Sequence, residues 1–288
     1  MAKTARRNRA AEVRVFLQAN RRREGFVKSY RARCRRLIKT DLALCLRAFK
    51  AGKSSPRDIQ AALNRNKKAW KKFQRELFFT VWRVFGDATW KSLQPFMKKA
   101  EEPEWVAPQS VFADQHLAAE GAARVQAISE STRASVVKTL RAGADAKLSQ
   151  RAIESNVRAL GAFSDSRIEK IVRTEVGIAS NHGSHAAAKQ TGLKLKKQWI
   201  TVGDTRVRGN PRKSTGKSKR KKKKKAVIGS NHKKINGKKI PMEDLWEVPR
   251  GDGKPADQME FPMDGSHGAR ADSLIHCRCV EGYQPIGV

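Results

Sequence analysis

The stretch "RTEVGIASNHGSHAAAKQTGLKLKKQWITV" (residues 173–202) changes character at Thr191 and Gly192. Before this point the apolar residues are small, as suits a packed helix, and the pattern predicts a helix over about 165–190. After it, "LKLKKQWITV" (residues 193–202) alternates polar and apolar side chains, which is typical of a half-buried strand. A helix that leads directly into a strand indicates that the chain combines helical and β structure.

The N-terminal part of the chain predicts long helices. Residues 4–50 carry apolar side chains at steps of three and four, with Arg and Lys on the other faces, which predicts one basic helix that Gly25 weakens in its middle. Ser55, Pro56 and Asp58 have the pattern of an N-cap, a first-position proline and a capping carboxylate. They predict a second helix to about residue 99, with an aromatic stripe that packs against the first.

Further helices are predicted over about 110–142 and 149–160, with Ser149 and Asp165 as N-caps of the two helices that follow them. Short strands, glycine turns and loops make up the remainder. The predicted fold class is therefore α+β, with long N-terminal helices, a helical middle and a small C-terminal β-rich region with long loops. We expect Cys34 and Cys45 to be small core residues of a protein made in a reducing cytoplasm.

Changes in composition divide the chain into predicted regions. Residues 1–100 form a basic helical hairpin, and residues 101–109 form a linker marked by prolines and a reversal of charge. Residues 110–288 form an α+β domain. A lysine-rich insertion at about 209–226 interrupts this domain, and we expect it to be disordered because its glycines, serines and uninterrupted charge cannot pack.

The net charge of +35 is concentrated at the two ends of the chain. A compact protein with this charge repels itself unless a polyanion screens it, and nucleic acid is the favoured candidate. A nuclear or nucleolar address and solvated charge with no fixed partner remain alternatives. We expect no signal peptide and no membrane span, because the sequence has no continuous apolar segment of the required length. We also expect no small-molecule substrate.

The lysine-rich stretch is the first candidate nucleic-acid surface. Twelve of the 21 residues from Thr205 to Lys225 are basic and none is acidic. The three consecutive arginines of the first helix are the second candidate. The predicted contacts to double-stranded DNA, without sequence preference, are Arg206, Arg208, Arg212, Lys213, Lys217, Lys219, Arg220, Lys221, Lys222, Lys223, Lys224, Lys225, Arg21, Arg22 and Arg23.

Two polar residues on the helix of residues 165–190 call for different partners. Arg173 and Glu175 are two positions apart, so their side chains do not face each other. We expect each to find its partner in the β-region that follows, and a buried pairing of an arginine with Asp204 would lock the helix to the end of the strand.

The histidines and cysteines raise the alternative of a metal site. His232, His267, His276, Cys277 and Cys279 are acceptable zinc ligands. We favour no cofactor, with structural zinc as the less favoured alternative, because Cys-x-Cys is tighter than the usual ligand pair and no second pair exists. His182 and His185 are three apart on a helix, and we expect them to lie at a surface or interface.

Catalytic motifs are absent from the sequence. There is no phosphate-binding loop, no dinucleotide glycine pattern and no nucleophile elbow. Asp204, His232 and Glu175 could form the acid–base set of a nuclease, as almost any three such residues could. We therefore predict that the protein is not an enzyme, with a metal-dependent nuclease as the alternative and a general nucleic-acid-compacting protein as a third hypothesis.

Five segments in order resemble the phage head morphogenesis family, the Mu F-like minor head proteins. They are "RTEVGIASNHGSHAAAKQTG", "KKQWITVGDTRVR", "NHKKINGKKI", "FPMDG" and "IHCRC", and the resemblance covers about residues 110–285. In the family the histidine follows the Asp-x-Arg-x-Arg motif closely, and a Pro-Asn precedes Cys-Arg-Cys. Here the lysine-rich stretch separates Arg208 from His232, and His276 precedes Cys277 directly.

The resemblance implies a structural capsid protein of a tailed phage or prophage. Such a protein lies in the head interior or near the portal of the virion, contacts portal and other head proteins, and is made in the host cytoplasm. Some relatives bind DNA during packaging or ejection. The motif residues to which the resemblance gives structural roles are Arg173, Glu175, Trp199, Asp204, His232, Gly237, Cys277 and Cys279.

Overall fold

A computed structural model describes residues 2–97, 115–201 and 229–287, and its elements confirm the α+β class. The helices are α1 Ala2–Lys50, α2 Pro56–Asn64, α3 Lys67–Leu93, α4 Ala122–Asp145, α5 Gln150–Arg158, α6 Asp165–Gln190 and α7 Ala271–Leu274. The strands are β1 Leu195–Ile200, β2 Lys239–Pro241, β3 Trp246–Val248, β4 Asp257–Met259 and β5 Val280–Pro285. Single 3₁₀ turns occur at Gln94–Phe96, Gly161–Phe163 and His232–Ile235, and a π turn at Leu117–Gly121 leads into α4.

The first helix runs without the predicted break at Gly25. A stripe of buried side chains, Val27, Tyr30, Cys34 and Ile38, continues directly after this glycine. Packing along that stripe outweighs the cost of about 1 kcal/mol that a glycine adds within a helix. Cys34 is fully buried, as predicted for a small core residue.

The predicted second helix is instead two helices, α2 and α3. Ser55 caps α2 as expected, and its side chain and that of Asp58 form a reciprocal capping box. The helix ends at Asn64, and the turn that follows buries Asn66. The Asn66 amide donates to the carbonyl oxygen of Leu37 and to Asp41, and these bonds hold the interruption.

Two further caps were predicted, and one of them is wrong. Ser149 caps α5, because its hydroxyl accepts from the main-chain nitrogen of Ala152. Asp165 is not the cap of α6: the Ser164 hydroxyl accepts from the nitrogen of Arg167. Asp165 lies in the first turn instead, where a carboxylate also complements the positive end of the helix dipole.

The chain forms two compact units that are interleaved in sequence. The strand unit contains Met1–Gly25, Thr80–Pro108 and Val176–Val288, and the helical unit contains Phe26–Phe79 and Gln109–Glu175. These units do not coincide with the predicted sequential regions, because α1, α3 and α6 each contribute residues to both. The predicted linker at 101–109 and the predicted insertion at 209–226 lie outside the described residues.

Apolar side chains from four helices form a core cluster of the helical unit. Cys45 and Leu46 of α1 pack with Ile59 of α2, Val136 of α4 and Ile153 of α5. Two aromatic edge-to-face contacts, Tyr30 with Phe73 and Trp70 with Phe73, add to the packing of α1 against α3 in this unit. The predicted aromatic stripe is therefore a packing surface here.

The strand unit is built around β1. A three-stranded antiparallel sheet has the order β2-β1-β5, and β3 pairs with β4 in a separate two-stranded ribbon. Leu195 of β1 packs with Leu93, Ala188 and Met242, while Ile200 packs with Phe16 and Val280. The strand predicted from residue 193 is thus the centre of this sheet. None of the described helices is long and apolar enough to cross a membrane.

Candidate functional site

A histidine and two cysteines meet in the interior of the strand unit. The Nδ1 atom of His232 lies 3.3 Å from Sγ of Cys277 and 3.4 Å from Sγ of Cys279. All three side chains are buried. Across the residues that the structure describes, this is the one group of three or more His, Cys, Asp or Glu ligand atoms close enough to hold a metal ion.

The local chain geometry explains why these side chains converge. Residues two apart in an extended chain project to the same face, and Cys277 and Cys279 have this spacing as the chain enters β5. His276, just before them, has a left-handed backbone with φ of 60°. His232 begins the 3₁₀ turn that follows Asn231, whose side chain accepts from the nitrogen of Lys234.

Arg23 of α1 supports the main chain beside this cluster. Its guanidinium donates to the carbonyl oxygens of Arg278 and Cys279, both at 3.2 Å, and to the hydroxyl of Ser180 at 2.7 Å. A further bond goes to Oδ1 of Asn181. Burial lowers the pKa of Arg23 to about 10, against the opposing effect of the two cysteines nearby. A buried guanidinium with this many acceptors is part of the interior architecture.

The two thiols of the cluster titrate differently. A hydrogen bond from Cys279 lowers the pKa of Cys277, and His232 and the main-chain nitrogen of Cys279 act in the same direction, against the effect of burial. Burial raises the pKa of Cys279.

The Trp199 ring covers one side of the cluster. It packs edge-on against His232, with ring centroids 5.3 Å apart, and against Trp246, with centroids 5.4 Å apart, so apolar surface closes this side.

Gly237 has a clear structural role next to Trp199. Its φ of 79° is in the left-handed region that favours glycine. This turn lets the Gly237 nitrogen donate to the Trp199 carbonyl oxygen at 2.8 Å. The Trp199 nitrogen donates to the carbonyl oxygen of Lys238 at 3.1 Å. Oδ1 of Asn236 accepts from the nitrogen of Thr201 at 2.7 Å. The "ING" turn therefore continues the pairing of β1 at its end.

A buried carboxylate that the sequence did not single out is a second polar centre of the strand unit. Glu281 of β5 accepts from Nε1 of Trp246 at 2.6 Å and from the Tyr283 hydroxyl at 2.8 Å, and it pairs with Nδ1 of His185 at 3.0 Å. Burial alone would raise its pKa, but His185, Lys197 and Trp246 together lower it. The alternation of side chains along β5 does not by itself show which face of the strand points inward, so the sequence could not identify Glu281 as buried.

Arg250 was also missed, although it organises the β3–β4 ribbon. It donates to Asp257 at 2.7 Å and to Asp272 at 3.0 Å, and Asp257 also accepts from Ser273. The pairing of Arg250 with three aspartates, including Asp252, joins the ribbon to α7. An arginine in the loop "PRGDG" carries no sequence signal for this role.

Several residues predicted as possible metal ligands are elsewhere. His276 is exposed and outside the cluster, although it precedes Cys277 directly. His267 lies 3.8 Å from Glu260. The expectation of a surface or interface position is wrong for His185, which is buried against Glu281, whereas His182 is half-buried and its Nδ1 accepts from Trp82 at 2.8 Å.

Arg173 and Glu175 have separate partners, as their spacing predicted, but the partners described for Glu175 lie on helices and not in the β-region where they were expected. Arg173 donates to Glu169 one turn earlier on α6, and Glu175 pairs with Arg124 at 3.1 Å and accepts from Gln74 at 3.0 Å. Asp204 lies outside the described residues, so the expected pairing with it stays a prediction. Of the residues considered as a nuclease set, Glu175 contacts Arg124 and Gln74, whereas His232 contacts Cys277 and Cys279.

The structure divides the predicted nucleic-acid contacts into three groups. Arg21 and Arg22 are exposed on α1. Arg23 is only 4% exposed, and its hydrogen bonds face the interior, so the predicted DNA contact of Arg23 is wrong. The twelve basic residues from Arg206 to Lys225 lie outside the described residues.

Helix α1 carries more exposed cations than the sequence set included. Between residues 10 and 50, eight of its basic side chains are exposed: Arg14, Arg21, Arg22, Lys28, Arg36, Lys39, Arg47 and Lys50. Within the described parts of the chain, Lys50 pairs with Glu154, and the other seven have no ion pair. Its carboxylates in this range are not on the exposed surface, because Glu12 and Glu24 are half-buried and Asp41 is buried.

Three further arginines of α1 are neutralised inside the helical unit. Arg31 pairs with Glu169 at 3.6 Å, Arg35 with Asp165 at 2.9 Å, and Arg33 with Glu76. These three side chains are half-buried. The helix therefore separates cations that stabilise the fold from cations that face solvent.

No protein-family profile, curated protein or solved structure matches the chain.

Proposed function

We propose that the chain is a structural minor head protein of a tailed phage or prophage that binds packaged double-stranded DNA without sequence preference. The observation that carries the DNA-binding part is the set of eight exposed cations on α1, seven of them without an ion pair among the described residues. Such cations contribute most to the free energy of binding a polyanion, because each phosphate that they neutralise releases its condensed counterions.

The spacing of these side chains suits a backbone contact. Arg14, Arg21 and Lys28 recur every seven residues, which is a step of about 10.5 Å along a helix. DNA carries one charge per about 1.7 Å of its axis, so phosphates are available at any such spacing. Contacts of this kind fix the position of a protein on the duplex and do not read its sequence.

The head-protein part of the proposal rests on the ordered motifs that resemble the Mu F-like family. Trp199, His232, Gly237, Cys277 and Cys279 all lie in the interior or turns of the strand unit and contact one another or the neighbouring main chain. Their contacts support a structural role for these motifs. The proposed partners are DNA, the portal and other head proteins, and the proposed location is the head interior or the vicinity of the portal.

A salt titration with matched variants tests the DNA-binding part. We expect the affinity of the full chain for duplex DNA to fall about 10³–10⁵-fold between 50 and 200 mM salt if 6–10 phosphates are contacted. Replacing Arg14, Arg21 and Arg22 by Gln should reduce the slope of log K against log salt by about 2.7 if each contacts one phosphate. Arg31→Gln with Arg35→Gln is the control, because these arginines of the same helix already pair with carboxylates.

The salt titration, a cleavage assay and an analysis of virions separate the hypotheses. Salt-insensitive binding, or no binding, would reject DNA association. Cleavage of labelled DNA in Mg²⁺ that stops on adding EDTA would favour the nuclease alternative instead. Mass spectrometry of purified virions before and after DNA release tests the head-protein part, and the absence of the chain from virions would contradict it.

A further inference from the structure

We propose that His232, Cys277 and Cys279 bind one Zn²⁺ through Nδ1 and the two Sγ atoms, as a structural centre of the strand unit. The proposal does not depend on DNA binding or on a role in phage heads. It rests on three observations: the distances between the ligand atoms, the chemistry and burial of the group, and the position of the three residues in the chain.

The distances fit one tetrahedral ion. Zinc binds thiolate at about 2.3 Å and imidazole nitrogen at about 2.0–2.1 Å, so a nitrogen and a sulfur on the same ion are about 3.5 Å apart. Nδ1 of His232 lies 3.3 and 3.4 Å from the two sulfurs. All three ligand atoms lie within 4.8 Å of one another. The side chains therefore already have the spacing that a single ion requires.

The ligand set is selective for a thiophilic metal. Two cysteine sulfurs and an imidazole suit zinc, whereas magnesium and calcium prefer oxygen, and the group contains no carboxylate. The three residues are buried, with exposures of 1% for His232, 6% for Cys277 and 3% for Cys279. Two buried thiolates beside a neutral imidazole balance the charge of one divalent ion.

Neighbouring groups hold the ligands in place, as second-shell contacts do in metal centres. The main-chain nitrogen of Cys279 points to Sγ of Cys277 at 3.4 Å. Arg23 fixes the carbonyl oxygen of Cys279, and the Trp199 ring packs edge-on against His232. These contacts enclose the cluster on the sides of Arg23 and Trp199.

The ion would connect two distant parts of the chain. His232 is 45 residues before Cys277 and 47 before Cys279, and it lies just after the gap between residues 201 and 229 in the described chain. A metal that joins these positions would close a long loop in the unfolded chain, which stabilises the native state relative to the unfolded chain. The fourth zinc position would take a small ligand such as water.

Metal analysis of the full chain, purified without a histidine tag, tests the proposal. We expect one zinc per chain by plasma mass spectrometry, and loss of at least about nine-tenths of it in Cys277→Ser and in Cys279→Ser. Cys34→Ser and Cys45→Ser are matched controls, because these buried thiols belong to the helical unit and should leave the zinc content unchanged. A loss of zinc in the controls equal to that in the test variants would overturn the assignment.

Cobalt substitution of the wild-type chain provides a readout even where a variant does not fold. Co²⁺ should give the visible bands of a tetrahedral site and a thiolate-to-metal charge-transfer band, and one equivalent of zinc should remove both. A chain that contains no metal, a chain with iron or copper at a ratio of one, or a Cys277–Cys279 disulfide in protein kept under reducing conditions would each overturn the proposal.

Discussion

The guanidinium of Arg23 donates to the carbonyl oxygen of Cys279 at 3.2 Å, although the two residues are 256 positions apart in the chain. The same side chain also bonds to Ser180 and Asn181 of α6. A residue that belongs by sequence to a run of three arginines thus joins the N-terminal helix to the last strand segment and to α6 inside the strand unit.

Arg23→Met should destabilise the protein strongly. The apolar side chain would leave several buried acceptors without a donor, and each such group costs about 1–3 kcal/mol. We expect a loss of at least about 3 kcal/mol in the free energy of unfolding, measured by urea denaturation. Arg22→Met is the control: it should barely change stability, because this neighbour is exposed, and it should weaken DNA binding. Equal stability of the two variants would contradict the structural role of Arg23.

The contrast between Arg22 and Arg23 shows which features of the fold could be predicted from the sequence and which could not. The helical periodicity of α1 and the cap at Ser55 are local properties, so both were predictable. The burial of Arg23 depends on acceptors from residues 180, 181, 278 and 279. No local pattern contains that information, because the burial of a charge is decided by which distant groups can neutralise or hydrogen-bond it.

Histidine 116 should make the helical unit sensitive to mild acid. Burial lowers the pKa of His116 to about 3, with Arg124 acting in the same direction, and its ring stacks on Phe78 at 5.2 Å. The pKa in the unfolded chain is about 6.5, so the unfolded state binds more protons between pH 6.5 and 3. Stability conferred by the neutral ring is therefore complete above pH 6.5 and falls as the pH drops below it.

His116→Phe tests this pH dependence by removing the titrating group and keeping a ring of similar shape. Between pH 7 and pH 5 the wild type should lose about 2 kcal/mol more of its unfolding free energy than the variant. His276→Asn is the control, since His276 is exposed and its left-handed backbone suits asparagine. Parallel stability curves for wild type and His116→Phe would show that His116 is not the cause.

Two glycines should respond in opposite ways to replacement by alanine. A Cβ at Gly183 of α6 would overlap the Trp82 carbonyl oxygen of α3, whereas a Cβ at Gly25 of α1 has nothing within 4 Å. Gly183→Ala should therefore destabilise the protein by about 1–3 kcal/mol, since the two helices must move apart. Gly25→Ala should stabilise it by about 0.5–1 kcal/mol, because alanine lowers the conformational entropy of the unfolded chain at this position. Thermal unfolding of both variants measures the difference, and a shift of the same sign in both would contradict it.

The candidate metal group shows a second limit of sequence interpretation. Cys277 and Cys279 were considered possible ligands although their spacing is tighter than that of the usual zinc pair, and this spacing does bring their sulfurs together. His276, the adjacent histidine, is exposed, whereas His232 completes the group from 45 residues away. The sequence offered both histidines as possible ligands, and the turn after Asn231 and the left-handed backbone at His276 distinguish them.

Deletion of residues 210–225 should leave the strand unit folded and weaken DNA binding. The strand unit has its own bonds on both sides of the gap: the Thr201 nitrogen donates to Asn236, and the Ser230 nitrogen donates to Asp272. The deletion removes ten of the twelve basic residues in this stretch and therefore, if each meets one phosphate, a corresponding part of the salt dependence.

A full-length variant with the same ten basic residues replaced by Gln separates the effect of charge from that of length. Circular dichroism and thermal unfolding of the deletion and of the Gln variant should match the wild type, while both should bind duplex DNA at least about tenfold more weakly in 100 mM salt. Loss of the folded signal in the deletion alone would show that this part of the chain is structural. Unchanged DNA affinity in both variants would show that the lysine-rich stretch does not contribute and would place the nucleic-acid contact on α1.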